Sequence, residues 1–463
     1  MSSSLFFRLP PTRGTSTIGA IALVICLFTI APVGLTVAQT VPTPATRRPN
    51  VILILMDDIG YGDLGSYGAP DARTPNIDRL ARGGVRFTDA YANGAQCSPT
   101  RAALITGRYQ QRVGIEHALM SPRDSGGVAA TGATLPALLK ASGYATGLIG
   151  KWHLGTRPEF SPNANGFDEF FGFLGAAVDY YNHTDIAGRS DLYENTTPIE
   201  VPGYLTDVIT RRAVSFIDRH TSGPFFLEVA YNATHFPFQP PDHEPTEAER
   251  RAKQFREQPG DPVPATRHDY VRMLERADDG VGDIMRALER YGLARNTLVI
   301  FTNDNGGEWL SRNTPFFHRK GTLWEGGIRV PLIVWWPGRV PARRTSKQVA
   351  ITMDLTASIL GATGAARPEL RLDGIDLLPI LRSEAPVRSR ELFWRAGRGA
   401  AVRSGKWKLF IDQPDLSDRH LLLFDLSQDP GERNDLAREN PAIGTRLRAA
   451  LSAWAKDVGP PAQ

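Results

Sequence analysis

Asn50-Val51-Ile52-Leu53-Ile54-Leu55-Met56-Asp57-Asp58 decides the fold class. Six successive apolar residues, Val51 to Met56, leave no polar face, as a strand covered on both sides requires. Two carboxylates close the run. Ligands in open α/β sheets gather beyond the carboxyl ends of strands, which makes Asp57 and Asp58 the first candidates for chemistry. Outward from this strand, helices and strands alternate. Thr74 to Gly83 reads as a helix, with Thr74 as cap and Pro75 at its first position. Leu135 to Ser142 is helical and a strand follows at Ala145 to Ile149. Thr206 to Arg219 is helical, and Phe225 to Tyr231 is a second buried strand. Tyr270 to Tyr291 forms a long amphipathic helix, followed by strands at Thr297 to Thr302 and Val330 to Trp336. The alternation predicts an α/β sandwich around a large mixed, mostly parallel sheet. Near Arg367 the texture changes. Glu391 to Ala396, Ala401 to Ile411 and Leu421 to Leu426 read as strands, ahead of a helix from about Ala442 to Lys456. These segments predict a small C-terminal α+β subdomain with an antiparallel sheet.

The 463 residues are 41% hydrophobic and 22% charged, an ordinary globular composition with room for a large and a smaller domain. Net charge is +4, and Arg8 and Arg13 near the N-terminus supply two of those charges. No nucleic-acid partner is expected, and attraction for an anionic substrate must be local. Residues 1–38 read as a secretory signal peptide: a basic start, an apolar stretch from Ile18 to Leu35, and Thr36-Val37-Ala38 for cleavage. The alternative is a retained anchor. The apolar stretch stands at the short limit of about 18 residues for a span, and Pro32 interrupts it. No stable membrane insertion is expected after signal removal. A Pro/Thr/Arg linker covers 39–49, a main domain 50–366 and the subdomain 367–463. The chain has two cysteines, Cys26 in the leader and Cys97, so the mature part can form no internal disulfide. That suits a bacterial periplasmic or secreted protein better than an animal extracellular one.

Four predicted strands end in residues that a reaction centre would use. The first ends in Asp57-Asp58, and the strand at 297–302 leads to Asn303-Asp304-Asn305-Gly306-Gly307. The strand at 145–149 leads to Lys151-Trp152-His153, and that at 225–231 leads to His235. Singly, each reads equally as a turn, a cap or a satisfied polar group. Together, Asp57, Asp58, Asp304 and Asn305 offer only oxygen ligands, which selects Ca²⁺ or Mg²⁺ over zinc. Cys97-Ser98-Pro99-Thr100-Arg101 opens a helix, with Pro99 expected at its first position and Gly107 closing it. Residue 97 then lies where free backbone N–H groups favour negative charge, and a thiolate there is expected to have a depressed pKa. Arg101, four residues on, shares its face. The alternative is an inert buried cysteine. Lys151, Arg101 and Lys320 can each meet an oxygen of a tetrahedral anion.

Cys97-x-Pro99-x-Arg101 with Leu104-x-Thr106-Gly107-Arg108 resembles the signature of type I, formylglycine-dependent sulfatases. Residues 50–63, Thr74 to Ala81, Gly150 to Gly155 and Leu423 to Glu432 resemble the arylsulfatase A-like group of the alkaline phosphatase superfamily. The resemblance spans essentially the whole mature chain. It implies an alkaline phosphatase-like sandwich, with residues 50–366 as the catalytic domain. It implies a sulfuric ester hydrolase acting on a sulfated small molecule or glycan, with a carbohydrate sulfate first and aryl sulfates second. It further implies Ca²⁺, with Mg²⁺ the minor alternative, on Asp57, Asp58, residue 97, Asp304 and Asn305. A maturation enzyme would convert Cys97 to formylglycine, whose hydrate attacks sulfur in line. Asp304 is the implied base for that attack. His235, or Lys320 second, protonates the leaving alcohol. His153 deprotonates the second hydroxyl so that sulfate is expelled. Lys151, His235 and Lys320 are the implied substrate-binding residues. The region from Ala176 to Pro240 and the insert from Asp242 to His268 are expected to shape the pocket. His117, Asp179, Tyr180, His183, His243 and His318 are candidates to line it. A phosphonate monoester or phosphodiester hydrolase is the first rival, and a non-catalytic binding protein the second.

Overall fold

The computed structural model describes residues 48–120, 126–247, 249–250, 265–382, 388–397, 399–411 and 421–460. The expected signal peptide and nearly all of the linker lie outside the described residues. The strands are β1 (Asn50–Met56), β2 (Val85–Phe87), β3 (Ala90–Tyr91), β4 (Ala145–Lys151), β5 (Glu169–Phe173), β6 (Tyr193–Glu194), β7 (Thr197–Pro198) and β8 (Phe225–Ala230). They continue with β9 (Thr297–Asn303), β10 (Leu332–Trp335), β11 (Arg344–Ser346), β12 (Ala350–Ile351), β13 (Glu391–Ala396), β14 (Gly399–Ser404), β15 (Trp407–Ile411) and β16 (Leu421–Asp425). Ten of them form one sheet in the order β11-β2-β10-β9-β1-β8-β4-β5-β6-β7. Its centre, β9-β1-β8-β4-β5, is parallel, while β10 runs antiparallel to β9 and β2. β13 to β16 make a separate antiparallel meander.

The helices are α1 (Pro75–Gly83), α2 (Cys97–Thr106), α3 (Leu135–Ala141), α4 (Leu205–Arg219), α5 (Arg267–Arg290), α6 (Glu325–Ile328), α7 (Met353–Thr363), α8 (Leu378–Arg382) and α9 (Pro441–Asp457). They cover both faces of the large sheet, and β1 shows how. Ile52, Ile54 and Met56 share a core with Ile77 of α1, Phe216 of α4 and Leu274 of α5. Val51, Leu53 and Leu55 share the other with Leu104 of α2, Leu139 of α3 and Ile359 of α7. The period of two sends alternate residues to opposite layers, so both must be apolar. Each fully buried side chain of this kind contributes about 1.5–3 kcal/mol. A third core joins Trp394, Leu409 and Leu423 of the meander and Leu451 of α9 to Tyr91, Ala103 and Ile328. The meander is thereby packed beside α2.

Several boundaries differ from expectation, each for a local reason. The run from Ala401 to Ile411 is two strands, because Gly405 turns the chain at φ 59°. β4 continues to Lys151 through Gly150 (φ 120°), where a Cβ would lie 1.9 Å from the carbonyl oxygen of Ala230. α5 starts at Arg267, since Thr266 and Asp269 form a capping box. α2 starts at Cys97 with Gln96 as its cap, so Pro99 is the third helical residue; its missing N–H is still one the helix leaves unpaired. Gly107 closes α2 in the left-handed region as expected, at φ 66°. Among the described residues, no helix is long and apolar enough to cross a membrane.

Candidate active site

The carboxyl ends of β1, β4, β8 and β9 meet the start of α2. Asp57 and Asp58 follow β1 directly, and Asp58 sits at φ 65°, a region aspartate tolerates better than most residues. The backbone N–H of Asp57 donates to Ala233 O (3.1 Å), and that of Thr234 donates to Asp57 O (2.7 Å). These two bonds tie the segment leading to His235 against the acidic pair. Cys97, in the first turn of α2, is buried with Sγ 3.5 Å from Asp57 Oδ1.

Each carboxylate has a cation. Lys151 Nζ donates to Asp57 Oδ2 (2.6 Å) and Lys320 Nζ to Asp58 Oδ2 (2.7 Å). Arg101 grips Asp304 Oδ2 through Nε (3.0 Å) and Nη2 (2.8 Å), and its Nη1 donates to Lys151 O (3.1 Å). Burial alone would raise Asp57, but Lys151, His235, Arg101 and Lys320 hold it well below the usual carboxylate range. Burial and the Asp57 charge push Asp304 up. Burial opposes the charge on Lys320, yet Asp58 and its neighbours keep it firmly protonated.

The expected thiolate does not form. Burial, then the Asp304 carboxylate, push the Cys97 thiol up against the pull of Lys151 and Lys320. Loss of hydration outweighs the helix start. A nucleophile at position 97 therefore needs different chemistry from a free thiolate.

Both histidines are neutral. Burial and Lys151 lower His153 well below its ordinary value. Its Nε2 faces Leu119 O at 2.9 Å, and a carbonyl only accepts, so Nε2 carries the proton. Nδ1 is left buried without a partner, as a proton acceptor. His235 is held at about 4 by burial and by Lys320. Its Nδ1–H goes to Phe236 O (2.7 Å), and its Nε2 lies 3.6 Å from Asp58 Oδ2.

Ligand atoms of Asp57, Asp58, Cys97 and His235 all lie within 4.8 Å of one another. Asp304 Oδ1 and Asn305 Oδ1 are buried beside them with no hydrogen-bond partner. Orphaned buried oxygens are costly unless something meets them. Three carboxylates and an amide oxygen fit a hard, oxygen-seeking divalent cation.

A cavity of about 490 Å³ opens onto this centre, with Cys97, His153, His235 and Lys320 on its wall. Lys151 and Arg101, expected to touch the anion, are not on that wall; they neutralise Asp57 and Asp304 from behind.

A sulfatase family model matches residues 49–365, and a model for the C-terminal part of N-sulphoglucosamine sulphohydrolase matches 314–456. The chain belongs to the sulfatase family. It is a sulfatase, an enzyme of sulfate ester hydrolysis. N-acetylgalactosamine-6-sulfatase from Canis lupus familiaris is 35% identical to it over 85% of this chain and 82% of its own. Arylsulfatase A from Bos taurus is 34% identical over 87% and 86%. The crystal structure of Ps i-CgsB is 32% identical with a TM-score of 0.80, covering 90% of this chain and 94% of its own; its complex with k-i-k-neocarrahexaose gives 0.79. The phosphonate monoester hydrolase of Agrobacterium radiobacter, at 21% identity and a TM-score of 0.62, shares the fold.

Much of the rest of the sulfatase's cavity wall comes from the segment between β5 and β6 and the start of β6. Asp185, Arg189, Asp191 and Tyr193 line it, within the Ala176–Pro240 region expected to shape it. No periodicity or motif marks these four, so spacing alone gave no signal for them. Asp191 accepts from the N–H of Leu174 (3.1 Å) and Gly175 (2.9 Å), and burial raises it to about 6. None of the six other candidates lines this cavity. His183 bonds Gly203 O, Tyr180 braces the Asn232 and His235 carbonyls, and His243 pairs with Glu249 outside. Asp179 lines an adjoining hollow of about 360 Å³, together with Glu247 and Arg250 of the Asp242–His268 insert. His318 lines a surface hollow, and His117 faces a separate groove.

Proposed function

We propose that this sulfatase hydrolyses a carbohydrate sulfate monoester, using Cys97 matured to formylglycine and a bound Ca²⁺. The observation that carries the reading is the placing of Cys97, 3.5 Å from Asp57 and on the cavity wall, among carboxylates that each have a cation. A raised thiol pKa argues against a cysteine nucleophile and is harmless to one that is oxidised. The sugar is favoured by the relative named N-acetylgalactosamine-6-sulfatase and by polar groups on the cavity wall.

Ca²⁺ on Asp57, Asp58, Asp304 and Asn305 would act as a Lewis acid toward the sulfate and the hydroxyl of residue 97. The chain's own residues divide the proton work. Asp304, oriented through Oδ2 by Arg101, accepts the proton of the attacking hydroxyl. Lys320, protonated and on the cavity wall, gives the leaving alcohol its proton. This reverses the expected order of His235 and Lys320, because His235 is neutral and spends its one N–H on Phe236 O. His153 Nδ1, buried and unpartnered, takes the proton of the second hydroxyl on residue 97. A gem-diol matters here because one oxygen carries the sulfate while the other expels it. The leader supports export to the periplasm or medium, with a maturation enzyme acting on Cys97.

Sulfate release from a panel of sulfated mono- and disaccharides by matured wild type and Cys97→Ala tests the reading. Release by wild type alone supports it. Faster turnover of a phosphonate monoester than of every sulfate ester overturns it in favour of the rival hydrolase.

A further inference from the structure

Among the described residues a second large cavity lies beside the one that holds the reaction centre. It is a groove of about 1020 Å³ between the start of α2 and the C-terminal meander with α9. The two cavities share a partition. Gln96 lines both. His117 faces the groove and Ala118 the reaction cavity; Gly321 faces the groove and Lys320 the reaction cavity. This partition is stitched together: Ala118 N–H donates to Gln96 Oε1 (3.1 Å) and Gly321 N–H to Ala95 O (2.7 Å). A ligand whose sulfate lies at residue 97 can therefore continue over Gln96 into a space about twice as large.

The groove's chemistry differs from that of the reaction cavity's outer wall. That wall carries Asp185 and Asp191, and Arg189, the arginine on it among the described residues, is already paired with Asp185 (2.8 and 2.6 Å). In the groove both lining carboxylates are engaged. Glu116 is held by Arg395 through two 2.8 Å bonds, and Asp435 accepts from the N–H of Leu423 and Ala437 (3.0 Å each). Arg438 is exposed there with no ion pair among the described residues, and Arg448 stands on the same wall. Trp324, half-buried, adds an apolar face of the kind that stacks on a sugar ring. Arginine forks match sulfate and carboxylate oxygens.

We infer that the groove binds the continuation of an anionic oligosaccharide, with Arg438 and Arg448 meeting a sulfate or carboxylate on a sugar beyond the one that is desulfated. The inference rests on the carbohydrate-sulfate reading and extends it from a single sugar to a chain. The outer wall, with its acids, takes neutral hydroxyls.

The test uses the matured full-length enzyme. For sulfated disaccharides and hexasaccharides from carrageenan, chondroitin sulfate and heparan sulfate, the ratio of kcat/KM between the two lengths is measured. Wild type is expected to favour the hexasaccharide at least about tenfold in one series, or about 1.4 kcal/mol. Arg438→Gln with Arg448→Gln brings that ratio toward one by raising KM, while Arg438→Lys keeps most of it. Because each variant supplies its own ratio, partial loss of folded protein does not affect the reading. Ratios near one in all three series, or a ratio untouched by the double substitution, overturn the groove assignment while leaving a working sulfatase. Failure of wild type on every sulfated saccharide, with turnover of 4-nitrophenyl sulfate intact, overturns the carbohydrate reading and the groove with it.

Discussion

Arg101 and Asp304 form a buried fork in which both guanidinium bonds, 3.0 and 2.8 Å, land on the same oxygen, Oδ2, and leave Oδ1 unpartnered. The arginine thus orients the carboxylate and frees one oxygen for a metal or a proton. Lysine is a point charge and cannot make this fork while also reaching Lys151 O. Arg101→Lys is expected to lower kcat by about a hundredfold or more, the scale of a lost preorganised charge contact. Arg101→Met leaves Asp304 buried and unpaired, and should also cost about 3–5 kcal/mol of stability. Steady-state kinetics and denaturant unfolding of both variants check this.

Metal removal should act on stability as well as turnover. A ligand bound to the folded state alone at a hundred times its Kd adds about 2.7 kcal/mol. EGTA and EDTA are expected to lower Tm and abolish sulfate release, with Ca²⁺ restoring both. Asp58→Asn should need markedly more Ca²⁺ for the same Tm. Restoration by Zn²⁺ in place of Ca²⁺ and Mg²⁺ contradicts the oxygen-ligand argument.

A second charged group fastens the meander to the catalytic part. Lys408 of β15, fully buried, meets Glu325 (3.0 Å) and Glu432 (2.8 Å), and Arg329 meets Glu325 (2.6 Å). Lys408→Met leaves Glu432 buried without its cation and Glu325 with Arg329 alone, and should destabilise by about 3–5 kcal/mol. Thermal unfolding at pH 7 measures it.

The same group gives a pH dependence. Burial opposes ionisation of Glu325, but Lys408 and Arg329 hold it at about 2, below its ordinary value. Its contribution is therefore complete above about pH 4.3 and is lost as pH falls toward 2. Glu432, raised to about 6 first by burial, has the opposite sign and loses its contribution as pH rises from about 4.3 to 6. Tm should fall steeply below about pH 4.3, and the fall should be shallower in Glu325→Gln. An equal slope in that variant contradicts the assignment.

Gly306 sits against the α6 backbone so closely that a Cβ would lie 2.0 Å from Gly326 O. Its N–H donates to Gly327 O (2.9 Å), and Asn305 is its neighbour. Gly306→Ala must move backbone at that contact, and Asn305 with it. Turnover is expected to drop at least about tenfold, since a 1 Å misplacement is enough for such losses. The readout is kcat at saturating Ca²⁺.

The centre of the fold was legible because β1, β8 and β9 are mainly apolar on both faces, Glu228 of β8 aside, and each leads to a polar residue of the site. Asp57, Asp58, His153, His235 and Asp304 could be read off strand ends, and Arg101 from its spacing to Cys97. Four things were not legible. The antiparallel course of β10 depends on which neighbour it pairs with, which an apolar run does not encode. The hairpin at Gly405 was hidden inside a continuous β-like stretch. Asp185, Arg189 and Asp191 come from a loop, and Tyr193 from the start of β6 beside it, whose position is set by long-range bonds such as those from Leu174 and Gly175 to Asp191. The sign of the Cys97 shift also failed from sequence, since the helix start was visible but its complete burial was not.

The central claim is that residue 97 acts as formylglycine. The direct measurement is the mass of the tryptic peptide Phe87–Arg101 from enzyme produced with a formylglycine-generating maturation enzyme and shown to release sulfate. The account predicts a lighter peptide, with the thiol sulfur replaced by an aldehyde oxygen, that a hydrazide captures. An active preparation in which that peptide carries only an unmodified, alkylatable Cys97 contradicts it.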